Sequence, residues 1–129
     1  MASEATILEL INGGETINFT CADATGISKG TLLEITGDNT VTANTGEDIV
    51  VGIAAADKEA NDGATRIGAH THGIFDVWCD ATGVTLGDPI AASGANLIGL
   101  GNSASFGNVI GKALETGSAS EKIRCLIRI

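Results

Sequence analysis

The sequence repeats itself. Asp23-Ala24-Thr25-Gly26-Ile27-Ser28-Lys29-Gly30 returns 57 residues later as Asp80-Ala81-Thr82-Gly83-Val84-Thr85-Leu86-Gly87, with five of the eight positions identical. The register runs outward from there: Ile17 aligns with Ile74, and Gly37, Asn39 and Val41 align with Gly94, Asn96 and Ile98. Val51-Gly52-Ile53-Ala54 then matches Ile110-Gly111-Lys112-Ala113 at an offset of 59, so the second copy has gained two residues. Their natural place is the Gly/Ser/Asn-rich stretch from Gly99 to Gly107. A period of this length, held across three segments, marks a duplicated supersecondary unit. It divides the chain into an opening segment, 1–14, and a single β domain, 15–129, whose copies span about 15–69 and 72–129.

Each copy reads as strand, turn, strand, turn, strand. Gly26/Gly30 and Gly83/Gly87 bracket short polar turns, while Gly37-Asp38-Asn39 and Gly94-Ala95-Asn96 read as hairpin tips. Pro89, which has no amide proton, belongs at a strand start or an edge. The closing residues alternate, with Ile123, Cys125, Ile127 and Ile129 on one face, Lys122, Arg124 and Arg128 on the other, and Leu126 as the misfit. Ile, Val and Thr supply 35 of 129 residues, a composition that packs well on a pleated surface and poorly on a helix. The expected fold is all-β: a compact β-clip or small β-barrel-like domain built by internal duplication, with an extended N-terminal arm.

That arm differs from the rest. Glu4, Ala5, Thr6, Ile7, Leu8, Glu9, Leu10 and Ile11 form a strand with apolar side chains on both faces, since Ile7/Ile11 and Leu8/Leu10 point oppositely. Such a segment needs a partner on each side. Either it tucks into its own core as a hairpin, or it adds to a sheet edge on another chain.

Several functions are disfavoured by composition. The net charge of −9 would repel a phosphate backbone, so no nucleic acid is expected as partner. The longest apolar run, Ile49 to Ala56, is far below the roughly 18 residues of a spanning helix, so no membrane partner is expected either. Met1-Ala2-Ser3-Glu4 lacks the basic start of a signal peptide, and synthesis in a reducing cytosol is the expectation. Cys21, Cys79 and Cys125 are odd in number and widely spaced, and read as buried structural thiols.

Motifs for chemistry are sparse. His70-Thr71-His72 on one strand would place two imidazoles on one face, and the continuation to Asp76 resembles the first metal motif of the cupins, with Asp where that family usually has Glu. Gly83 and Pro89 match the start of the second cupin motif, but Gly94 stands where the third histidine belongs, and the duplication already accounts for that spacing. A cupin-like metal site would therefore rest on His70, His72 and Asp76; against it stands a pair of loop or interface histidines. The serines sit in Gly/Ala-rich turns without a nucleophile elbow. Cys79 lies beside Asp80, which disfavours its thiolate. The acidic run from Asp57 to Asp62 lacks EF-hand spacing. The expectation is a chain with no cofactor and no enzymatic activity.

The run Val51-Gly52-Ile53-Ala54-Ala55-Ala56-Asp57, the turn Gly63-Ala64-Thr65, strand residue Ile67 and Gly73-Ile74-Phe75-Asp76-Val77-Trp78 resemble the head decoration, or capsid cement, proteins of tailed phages, including the lambda type. Gly14 to Thr20, Ile110-Gly111-Lys112-Ala113-Leu114 and the closing Ile123 to Ile129 are similar to a second, related group of phage cement proteins. The resemblance covers roughly residues 14–129. It implies a structural protein of the virion's outer surface, a homotrimer set over a threefold axis, partnered with the major capsid protein through its N-terminal arm and stabilising the expanded head. On this reading Trp78 and Leu126 are candidate trimer contacts. A phage tail, fibre or baseplate module shares the same composition and is the main alternative.

Overall fold

The computed structural model describes residues 4–10, 15–47, 49–101 and 108–129, and these contain eleven strands and no α-helix. The strands are β1 (Thr6–Leu10), β2 (Ile17–Thr20), β3 (Leu32–Gly37), β4 (Thr40–Ala43), β5 (Val50–Ala54), β6 (Arg66–His70), β7 (His72–Cys79), β8 (Pro89–Gly94), β9 (Leu97–Leu100), β10 (Val109–Ala113) and β11 (Lys122–Arg128). Ile11, the turn at 12–14 and residues 102–107 of the expected insertion lie outside the described residues.

Strands β2 to β6 close into a barrel in the order β2-β4-β3-β5-β6. Strands β7 to β11 follow the same plan in the order β7-β11-β10-β8-β9, and β9 returns to β7. Every pairing has its counterpart. The β3–β4 and β8–β9 hairpins are antiparallel, while the closing contacts β2–β4 and β7–β9 are parallel. The bridge between Ile27 and Lys58 returns as Val84 with Gly117. Even the hairpin tips agree, with Asn39 at φ 53° and Asn96 at φ 59°, in the left-handed region that Asn tolerates better than most side chains.

The repeated Gly52 and Gly111 mark close strand crossings. A Cβ on Gly52 would stand 2.6 Å from the Ala69 Cβ, and one on Gly111 would collide with the Leu126 carbonyl oxygen. The Val-Gly-Ile-Ala and Ile-Gly-Lys-Ala segments therefore carry glycine for steric reasons.

The alternation expected at the C-terminus is present, since Ile123, Cys125 and Ile127 are buried between exposed Lys122, Arg124 and Arg128. Ile129 falls past the strand and is 43% exposed. One core cluster, of Cys21, Ile27, Leu33, Val41, Ala54, Ile67 and Ala69, belongs to the first barrel. The other surrounds Phe75, Val77, Ile90, Ile98 and Ile110 of the second, and it also takes in Leu32, Val50 and Ile53 from the first. Adjacent residues on a strand point oppositely. Leu33 and Ala54 therefore fill the first barrel while Leu32 and Ile53 turn outward and are buried against the second half.

A polar lock completes this junction. Asn96, on the second half's hairpin tip, accepts at Oδ1 from the Leu32 N–H (2.9 Å) and donates its own N–H to Asn44 Oδ1 (2.9 Å). Asn44 Nδ2 in turn donates to the Gly94 carbonyl (2.7 Å). Both amides are almost wholly buried, so hydrogen bonding is required of them. In the second half the positions of Leu32 and Asn44 are held by Pro89 and Gly101, which keep the backbone bond between them (2.7 Å) but offer neither a proline N–H nor an amide side chain.

Candidate interaction surface

The outer face of β7 and β11 is set by their antiparallel register, which pairs His72 with Arg128, Ile74 with Leu126, Asp76 with Arg124 and Trp78 with Lys122. Strand β10 adds Lys112 beside Leu126. Trp78 and Leu126, the sequence's trimer-contact candidates, thus share this face and are both half-buried. The Lys122 ammonium stands 5.9 Å from the Trp78 ring centroid and donates to Thr6 Oγ1 (2.6 Å). Next to them a groove of about 410 Å³ is lined by Leu8, Glu9, Ile74, Leu114 and Arg124. Leu114 is 47% exposed.

Strand β1 forms the near wall of that groove. It pairs antiparallel with β7, Thr6 opposite Asp76 and Leu10 opposite Gly73, with an irregularity between Ile7 and Glu9. Of the two placements the sequence left open, the observed one is within the chain's own sheet, and the partner strand is β7. Ala5 is buried and donates its N–H to the Gly30 carbonyl (2.7 Å), and Ile7 and Leu10 pack on the core. Leu8 and Glu9 face the groove, Thr6 is exposed, and Glu4 has one buried carboxylate oxygen without a partner among the described residues. Ile11 lies outside the described residues. Because β1 ends the six-stranded sheet, its second edge carries no strand among those described.

The three residues of the cupin-like alternative are not brought together. His70 ends β6 and is buried, its ring centroid 6.4 Å from that of Phe75 and its Nδ1 without a hydrogen-bond partner among the described residues. His72 begins β7 and lines a different cleft, of about 270 Å³, with Ile17, Arg128 and Ile129. The strand break at Thr71 is what defeats the shared face that i and i+2 would have on one strand. Asp76 lies four residues further along β7, on the order of 13 Å at strand rise. Among the described residues no group of three or more His, Cys, Asp or Glu side chains could hold a metal ion. Burial, with Lys29 nearby, pulls the His70 pKa below its ordinary 6.5.

The acidic run around Asp57 to Asp62 already holds a cation, the chain's own. The buried Lys58 ammonium donates to the carbonyls of Asp23 (2.9 Å), Thr25 (3.3 Å) and Glu59 (3.1 Å), and lies 3.3 Å from Asp62 Oδ1 and 3.9 Å from Asp23 Oδ1. The backbone N–H of Ala64, and then Lys58, hold the Asp62 carboxyl below its usual range. All three cysteines are buried and free, and burial pushes the Cys125 thiol up to about 12. Neither Lys58 nor the Asn44–Asn96 lock was visible in the sequence; the signal that bore on them was Lys58 and Asn44 standing where the second copy has Gly117 and Gly101.

A protein family described as phage cement protein matches residues 11–129. The head fiber gp8.5 N base of bacteriophage phi29 shares the fold, with a TM-score of 0.59 at 17% sequence identity over 88% of this chain and 94% of that one. No curated protein matches the sequence.

Proposed function

The chain belongs to the phage cement protein family, and from that premise we propose that it docks on the outer surface of the major capsid shell as a trimer and stabilises the expanded head. It works by binding and catalyses nothing. A ligand that binds one lattice state and not another stabilises the first by its binding free energy, and many copies multiply the effect. The observation that carries this reading is β1, an apolar strand at the end of its sheet whose second edge carries no strand among those described and so suits strand addition.

The test is occupancy on expanded, undecorated capsids. Deleting residues 1–10 is expected to abolish it, but Ala5, Ile7 and Leu10 also pack on the core, so the sharper variant is Leu8→Lys. That substitution is expected to lower occupancy at least about tenfold while leaving the melting temperature unchanged, a loss typical of a truncated contact residue. Undiminished occupancy for both variants removes the arm from the mechanism. The fold shared with a head-fibre base supports a second reading, a platform for a fibre. Gel densitometry of virions separates the two, because a cement covers the shell and a fibre base occupies fewer sites.

A further inference from the structure

Four of the chain's seven basic residues, Lys112, Lys122, Arg124 and Arg128, stand exposed on the outer face of β10 and β11. Among the described residues none of the four makes an ion pair within 4 Å; the ion pairs found are those of Lys58. The acids nearby are Glu9 across the groove, Asp76 directly opposite Arg124 on the same face, and Glu115, whose Oε2 accepts from the Arg124 N–H (2.9 Å). Elsewhere thirteen acidic residues are set against only Lys29, Lys58 and Arg66. One face of a strongly acidic molecule is thus basic, with an apolar centre of Ile74, Leu114 and Leu126.

The first half shows what the equivalent face does. There Ile53 and His70 pair across β5 and β6 as Lys112 and Leu126 pair across β10 and β11, and with Leu32 they are buried against a unit of the same fold. In the second half the same face is turned outward, and the neutral groups that receive a hairpin tip in the first half are replaced by Pro89, Gly101 and Lys112.

Building on the self-association proposed above, we infer that this basic face grips an acidic surface elsewhere on a second copy of the chain, head to tail. A twofold contact through the face would set the basic residues of one copy against those of the other, and like charges so placed repel. Pairing the face with a different, acidic patch removes that repulsion and gives a heterologous contact, the kind from which a threefold ring is closed.

Sedimentation of the full chain, with carbodiimide coupling of mixed light- and heavy-isotope protein, tests this. The expected results are a trimer at low salt that dissociates as salt rises, and intermolecular links from Lys112 or Lys122 to carboxylates outside the β7–β11 face. Lys122→Glu/Arg124→Glu is expected to weaken association more than about tenfold, with circular dichroism and melting checking that the fold is kept. A monomer at every salt concentration, an assembly indifferent to salt and to the double substitution, or links confined to the same face on both copies each overturn it. Capsid occupancy of the same variant is scored separately, so a failure of this contact is distinguishable from a failure of the cement reading.

Discussion

His70 shows how one side chain ties stability to pH. Burial keeps the ring neutral in the folded state, with a pKa below the ordinary 6.5. As pH falls below 6.5 the unfolded chain takes up the proton first, so stability declines until the folded ring is protonated too. The slope is at most about 1.4 kcal/mol per pH unit. Replacing His70 with Leu is expected to flatten the dependence of melting temperature between pH 7 and 5 without altering the strand. A wild-type curve already flat over that range would show that the ring does not govern it. Lys58 is held by geometry, its ammonium surrounded by five oxygens, and removing it would leave carboxylates and carbonyls facing one another.

Among the elements, the glycines of β5 and β10 do work that the sequence announces only as repetition. Gly111→Ala is expected to cost more than Gly52→Ala, because the first drives a methyl into the backbone carbonyl of Leu126, whereas the second meets the Ala69 Cβ at 2.6 Å and the His70 carbonyl oxygen at 3.3 Å. A cost of about 1–3 kcal/mol is typical of overpacking. Gly46→Ala, with no atom within 4 Å of the added carbon, is the control and is expected to melt like the wild type. The strands and tips were legible because their causes are local: Asn39 and Asn96 accept a left-handed backbone, and β11 alternates residue by residue. Strand β1 was legible as a strand but not in its pairing, since nothing in residues 4–11 encodes that Asp76 lies opposite Thr6. The His70–His72 face was misread for a related reason, because the strand break at Thr71 comes from closing two barrels rather than from any turn residue. Trp78 and Leu126 were found as outward apolar residues, whereas the basic character of their face depends on cross-strand neighbours.

At the scale of the whole molecule, the two halves are held by apolar burial around Leu32 and Ile53 and by the Asn44–Asn96 lock, whose partners are 52 residues apart. That separation is why no local pattern disclosed it. Asn96→Ala leaves the Leu32 N–H buried without its acceptor while the backbone N–H that Asn44 Oδ1 accepts from is kept, a loss of about 1–3 kcal/mol measurable by urea unfolding. A shift under about 0.5 kcal/mol, the usual scale for surface changes, would mean that water enters the junction. Pro89 and Gly101 give this junction a direction. The exposed Asn39 tip of one molecule finds no receptor in the second half of another, so the stacking that joins the halves stops at two units and cannot propagate from chain to chain into a fibre.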